Sequence, residues 1–106
     1  MGRILLKNAK IVNDNKIFPA DILLEDDVIL KIEDQISSDS AAKVMDLEGK
    51  YVIPGAIDDQ VHFREPGLTH KGTIATESRA AVAGGITSFM EQPNTNPQTT
   101  TIKALE

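Results

Sequence analysis

Pro54-Gly55-Ala56-Ile57-Asp58-Asp59-Gln60-Val61-His62-Phe63-Arg64-Glu65-Pro66-Gly67 is the stretch that decides how this chain is read. It has the pattern of a buried strand, Ala56 to Phe63, that ends in a set of polar side chains. Side chains alternate along a strand, so Asp58, Gln60, His62 and Arg64 are expected on one face and Val61 and Phe63 on the other. An imidazole beside a guanidinium at the C-terminal end of a strand suits metal-assisted chemistry on an anionic substrate. Gln60 stands where that chemistry would place a second histidine.

Downstream of this stretch the chain alternates strand and helix. Arg64 to Gly72 is a loop, and Thr73 to Ala83 reads as a helix with Ile74, Ala81 and Val82 on one stripe. Gly84-Gly85 supplies the helix stop. A glycine pair that follows a helix, without the Gly-x-x-x-x-Gly-Lys spacing, is not a phosphate loop. Ile86 to Met90 is a second strand, Gln92 to Pro97 a proline-restrained loop, and a further helix starts near Thr100. Strand, helix, strand and the start of another helix make one βαβ unit and part of the next. Two parallel strands cannot cover both their faces, so the expectation is the front end of a larger α/β protein.

Upstream of Pro54 the pattern is different. Short strands are predicted at Arg3 to Lys7, Ala9 to Asn13, Ala20 to Glu25, Val28 to Glu33, Lys43 to Leu47 and Tyr51 to Ile53. Polar turns at Asn13 to Lys16, Asp26-Asp27 and Glu48-Gly49-Lys50 separate them, and Asp34 to Ser40 is a loop. Strands at this spacing predict a small antiparallel sheet or sandwich. The domain boundary falls between 53 and 54.

Composition narrows the function classes. The 106 residues are 41 % apolar and 25 % charged, ordinary for a globular domain. With three Phe, one Tyr and no Trp, the core must be aliphatic. A net charge of −5 with no basic run argues against nucleic acid as a partner. The absence of cysteine removes disulfides and thiolate metal sites. No apolar run is long enough to span a membrane, and the first residues have no apolar signal-peptide core, so a cytoplasmic protein is expected. His70, beside Lys71 in a polar loop, reads as a solvated residue.

Taken together, Pro54-Gly55-Ala56-Ile57-Asp58, His62, Arg64-Glu65-Pro66-Gly67, Ala83-Gly84-Gly85-Ile86-Thr87 and Pro93-Asn94-Thr95-Asn96-Pro97 resemble dihydroorotase of the amidohydrolase superfamily. The resemblance spans nearly all of the chain. It implies an α/β fold: a small sandwich-like β-domain over 1–53, followed over 54–106 by the first βαβ unit of a truncated (β/α)₈ TIM-type metal-dependent hydrolase barrel, a fold of ~250 residues. Allantoinases and hydantoinases share this layout, and the arginine directly after the His-x-His position favours dihydroorotase.

The resemblance also implies roles. His62 would be a zinc ligand, Arg64 would clamp the substrate carboxylate, and Asn94 would hydrogen-bond the same substrate. The reaction would be the reversible closure of N-carbamoyl-L-aspartate to L-dihydroorotate in pyrimidine synthesis, with one or two zinc ions. No catalytic acid or base lies within the chain on this reading, so these residues alone would be inactive. The partners implied are a small-molecule substrate and either further copies of the chain or aspartate carbamoyltransferase.

Gln60 departs from the family pattern, which has His there; a carboxamide oxygen is a poor zinc ligand beside imidazole. Three readings follow. Gln60 is a tolerated variant with a single metal on His62 and later ligands; it donates a hydrogen bond toward water at the metal; or the chain keeps the fold as a non-catalytic scaffold or partner subunit.

Overall fold

The computed structural model describes residues 2–106, which divide after Pro54 into two compact units. The first unit is built on strand β1 (Arg3–Asn13), with β2 (Lys16–Glu25), β3 (Val28–Glu33), β4 (Lys43–Asp46) and β5 (Tyr51–Val52) around it. A single turn of 3₁₀ helix covers Ser38–Ser40.

The two hairpins follow from local turn chemistry. Asn13 pairs with Lys16 across Asp14 and Asn15, which sit at φ 52° and 58°. Two successive left-handed residues make the tight turn that matches strand twist, and Asn and Asp tolerate that conformation best after glycine. Because this loop has only two residues, strand pairing resumes at once and β2 begins at Lys16, four residues before the expected start at Ala20. Asp26, at φ 53°, turns β2 into β3.

The strands form one mixed sheet in the order β3-β2-β1-β4, with β5 also on β1. Neither an antiparallel sheet nor a sandwich is present among the described residues. The reason is the route after β3. Residues 34–42 cross from the β3 edge to the far side of β1, so β4 enters parallel to β1, pairing Ile4 to Lys7 with Lys43 to Asp46. That crossover also fills one face of the sheet. Ile36, 5 % exposed, packs there with Leu5, Leu23 and Ala41.

The expected break between two N-terminal strands at Asn8 is a β-bulge inside one long strand. Leu6 pairs with Ile22 and Ala9 with Ala20, so β1 spends one extra residue there, and Asn8 takes φ 56°. An extra residue reverses the alternation of faces. Leu5 and Ala9 therefore belong to different clusters although both are odd-numbered: Leu5 lies with Ile36, Ala9 with Ile11, Ala20 and Ile22. Strands β4 and β5 bend around the same bulge. The turn at Glu48 and Gly49, φ 53° and 79°, is bound to β1 through Leu47 N–H to Lys7 O and Gly49 N–H to Asn8 O.

One buried carboxylate ties these pieces together. Asp21, 2 % exposed, accepts from Lys7 Nζ, Asn8 N–H and Ile36 N–H, each at 2.9 Å. Burial pushes its carboxyl up. The Lys7 hydrogen bond, the two backbone donors and the Lys7 charge outweigh that, and the net position is below the ordinary carboxylate value.

Leu5 is fully buried among these groups. Leu5→Ala is expected to cost about 3 kcal/mol, the usual loss for an enclosed leucine, read as a lower urea midpoint with an unchanged m-value.

The second unit spans Gly55–Glu106 and holds β6 (Ala56–Val61), α1 (Ile74–Ala83), β7 (Ile86–Glu91) and the short α2 (Ile102–Leu105). β6 and β7 pair in parallel, with α1 between them in sequence. Thr73 is the N-cap of α1 and forms a capping box with Thr76; Gly84 and Gly85, the latter at φ 90°, end the helix. Gly55 lets the start of β6 approach β7, since a Cβ there would overlap the Thr87 side chain. Ile57 and Met90 are 68 % and 60 % exposed, so the strand faces carry uncovered apolar surface. Among the described residues no helix is long and apolar enough to cross a membrane.

Candidate active site

The site is assembled where β6 and β7 end side by side. Strand β6 stops at Val61, two residues short of the expected Phe63. Before it stops, the pairing steps from Asp58 with Phe89 to Val61 with Glu91, a bulge that adds one residue to β6. The alternation counted from Asp58 does not carry through to His62 and Arg64. The expected single face of Asp58, Gln60, His62 and Arg64 is therefore not formed. Asp58 instead accepts from Gln60 N–H through Oδ1 at 3.1 Å, closing the bulge locally.

Past the bulge the chain is fastened to the end of β7. Gln92 N–H donates to Val61 O at 2.9 Å. Phe63 N–H donates to both carboxylate oxygens of Glu91, at 3.1 and 3.0 Å. Val61 and Phe63 are buried, and the Phe63 ring meets Phe89 at 4.5 Å between centroids. These anchors turn His62, which lies between them, outward into solvent. Glu91 is the residue that sequence reasoning misses. Its signal was a charged group ending an otherwise uncharged strand, where a backbone donor of the neighbouring strand needs a partner.

His62 meets Asn94 across this junction, Nδ1 to Oδ1 at 2.9 Å. Of the four sequence-predicted residues, His62 and Asn94 are the pair that the fold brings into contact. Gln60 is exposed, and its carboxamide has no hydrogen-bond partner among the described residues.

Arg64 is half-buried and holds the left-handed conformation, φ 72°, uncommon for a residue with a long side chain. Its carbonyl accepts from Leu68 N–H at 3.0 Å, which closes the Glu65-Pro66-Gly67 turn. Among the described residues the guanidinium makes no ion pair. The adjacent Glu65 carboxylate is taken up elsewhere: it accepts from Ile74 N–H at 2.7 Å, at the start of α1. A carboxylate there satisfies an orphan helix donor and the helix dipole.

The loop that carries Asn94 is held from both sides. Thr95 is 5 % exposed and its hydroxyl donates to Pro97 O at 2.9 Å. Asn96 N–H donates to Pro66 O at 3.0 Å. Gly67, at φ 83°, lets the two loops touch, because a Cβ there would overlap the Asn96 carbonyl. Gly67→Ala is expected to cost roughly 2 kcal/mol through strain at a positive φ and to displace the Asn94 loop. A lower melting temperature together with shifted NMR resonances at 93–97 would show it.

Among the described residues no three His, Cys, Asp or Glu side chains come together as a metal-binding group. His62 is compatible with being one ligand of such a centre: its ring is exposed, and with Nδ1 engaged the second nitrogen remains available.

The family model described as Dihydro-orotase-like matches residues 49–106, just over half of the chain. The chain belongs to the dihydroorotase-like family. Among curated relatives, a dihydroorotase of Carboxydothermus hydrogenoformans is 46 % identical over 96 residues, covering 89 % of this chain and 22 % of that protein. A dihydroorotase of Methanosarcina acetivorans is 44 % identical over 106 residues, 100 % of this chain and 23 % of that protein. Among solved structures, the L-hydantoinase (dihydropyrimidinase) from Arthrobacter aurescens superposes with a TM-score of 0.90 at 36 % identity, over 98 % of this chain and 23 % of that one. The chain thus spans a little under a quarter of the length of these dihydroorotase-like relatives.

Proposed function

We propose that this chain is the N-terminal part of a dihydroorotase, a cyclic amidohydrolase that interconverts N-carbamoyl-L-aspartate and L-dihydroorotate. On this reading residues 1–53 are the small β-domain, and 54–106 open a (β/α)₈ barrel with the site at the C-terminal ends of its strands. The observation that carries the proposal is Arg64. It follows His62 by two residues, and its guanidinium has no carboxylate partner among the described residues while Glu65 caps α1. An unpaired, half-buried guanidinium is a site for an anionic ligand.

The chemistry asks little else of these residues. Ring closure joins the carbamoyl nitrogen to the side-chain carboxyl carbon and expels water; ring opening reverses it. The α-carboxylate is unchanged in both directions. Arg64 holds that spectator group through two parallel N–H···O bonds, and Asn94 Nδ2 is free to donate to the same substrate. His62 would contribute one ligand to zinc, with the other ligands and the general base on parts of the protein beyond 106. Bound zinc would supply polarisation of the ring carbonyl and activation of water. Gln60 is the position at which metal number is expected to vary. A cytoplasmic location accords with a small-molecule substrate.

The test is made on the full-length protein, with dihydroorotate hydrolysis and bound zinc measured in one sample. Turnover is expected, and Gln60→His is expected to raise zinc occupancy. A wild type without turnover that gains it in Gln60→His would overturn the enzyme reading in favour of a non-catalytic homologue.

A further inference from the structure

His62 and Asn94 are 32 positions apart and meet through single atoms, Nδ1 and Oδ1, at 2.9 Å. A carboxamide oxygen only accepts, so Nδ1 carries the imidazole proton and Nε2 holds the lone pair. The opposite carboxamide orientation would donate to Nδ1, place the proton on Nε2 and leave the ring no free lone pair. The contact is also built to stay in register. Residues flanking Asn94 are bound to residues flanking His62: Gln92 N–H to Val61 O, the Glu91 carboxylate to Phe63 N–H, and Asn96 N–H to Pro66 O. Buried Thr95, with its hydroxyl on Pro97 O, fixes the loop between them.

We propose that Asn94 is a positioning residue for His62: its Oδ1 holds the imidazole in the Nδ1–H tautomer and keeps Nε2 as an electron-pair donor for a divalent cation. The carboxamide then faces two ways. Oδ1 serves the histidine, while Nδ2 stays available as a donor to an anionic substrate. One side chain would thereby link the substrate's position to that of the cation's ligand. The identity of the cation as zinc rests on the dihydroorotase reading; the tautomer rests on the His62–Asn94 geometry alone.

The experiment compares Asn94→Leu and Asn94→Asp in the full-length protein. The aspartate keeps an acceptor for Nδ1–H, and the leucine removes it at similar volume. Ring ¹⁵N resonances of metal-stripped, histidine-labelled protein report the tautomer of His62, assigned by its loss in His62→Gln. Zinc affinity is read by chelator competition, and kcat and KM by dihydroorotate hydrolysis. Wild type and Asn94→Asp should both show Nδ1–H. Asn94→Leu should shift toward Nε2–H and bind zinc about 10- to 100-fold more weakly, the usual loss when a ligand's orienting partner is removed. Asn94→Asp should hold zinc near the wild-type affinity with a raised KM, which excludes misfolding as the cause. An Asn94→Leu protein with wild-type tautomer and zinc affinity but a raised KM would overturn the positioning role and leave the dihydroorotase reading standing. The predicted tautomer and zinc losses in a protein that never turns over dihydroorotate would do the reverse.

Discussion

Arg64→Ala in the full-length protein is expected to lower kcat/KM for dihydroorotate about 10³-fold. Two charge-assisted hydrogen bonds to one carboxylate are worth roughly 4 kcal/mol together, and each 1.4 kcal/mol is a factor of ten. The loss should fall mainly on KM. On the proposed dihydroorotase reading the α-carboxylate carries the same charge in ground and transition states, so a clamp on it would be uniform binding. Arg64→Lys should recover only part of the loss, because an ammonium keeps the charge but not the planar fork. Structural integrity is not at issue in this variant, since the guanidinium anchors no described residue. A thermal melt equal to wild type, beside steady-state kinetics, checks both halves. Equal KM values for Arg64→Ala and wild type would remove Arg64 from the substrate.

Asp21→Ala is expected to cost about 4 kcal/mol and to melt the first unit selectively. The substitution orphans two backbone donors, Asn8 N–H and Ile36 N–H, and leaves the Lys7 ammonium without its counter-charge. Those three donors come from the β1 bulge and from the crossover between β3 and β4. The connections that make the sheet mixed are therefore the ones released. Stability should also depend on acid through this group. Its carboxyl lies below the ordinary value in the folded chain. The stabilisation it provides is then complete above the unfolded value of about 3.9 and fades as pH falls from there through the lower folded value. Asp21→Asn, which cannot ionise, should be less stable than wild type at pH 7 and lose less on going to pH 3. Melting temperatures of both proteins at the two pH values decide this. Exposed Asp46, also held below its ordinary value by the Asn8 side chain and the Glu48 N–H, remains in both proteins; the Asp21 charge is the smallest influence on it, so most of its contribution is common to both.

The residues themselves determined what is local. Asp14-Asn15 turn where small polar residues accept positive φ, Glu48-Gly49 turn beside a glycine that does so freely, Thr73 opens α1 and Gly84-Gly85 closes it, and Pro54-Gly55 separates two kinds of pattern. His62 and Arg64 stood out through residue chemistry at the end of a strand, whereas Asn94 entered as a site candidate only through the family resemblance. Tertiary structure alone decided the rest. The bulges at Asn8 and between Asp58 and Val61 each add a single residue, which leaves composition and periodicity almost untouched yet reverses which side chains share a face. The direction of β4 depends on where nine crossover residues land, and Ile36 directs them by filling a gap between Leu5 and Leu23. The His62–Asn94 contact and the Glu91 clamp on Phe63 depend on the register between two strands far apart in the chain. Register is set by the summed packing of both strands, so no window of sequence around either residue contains it.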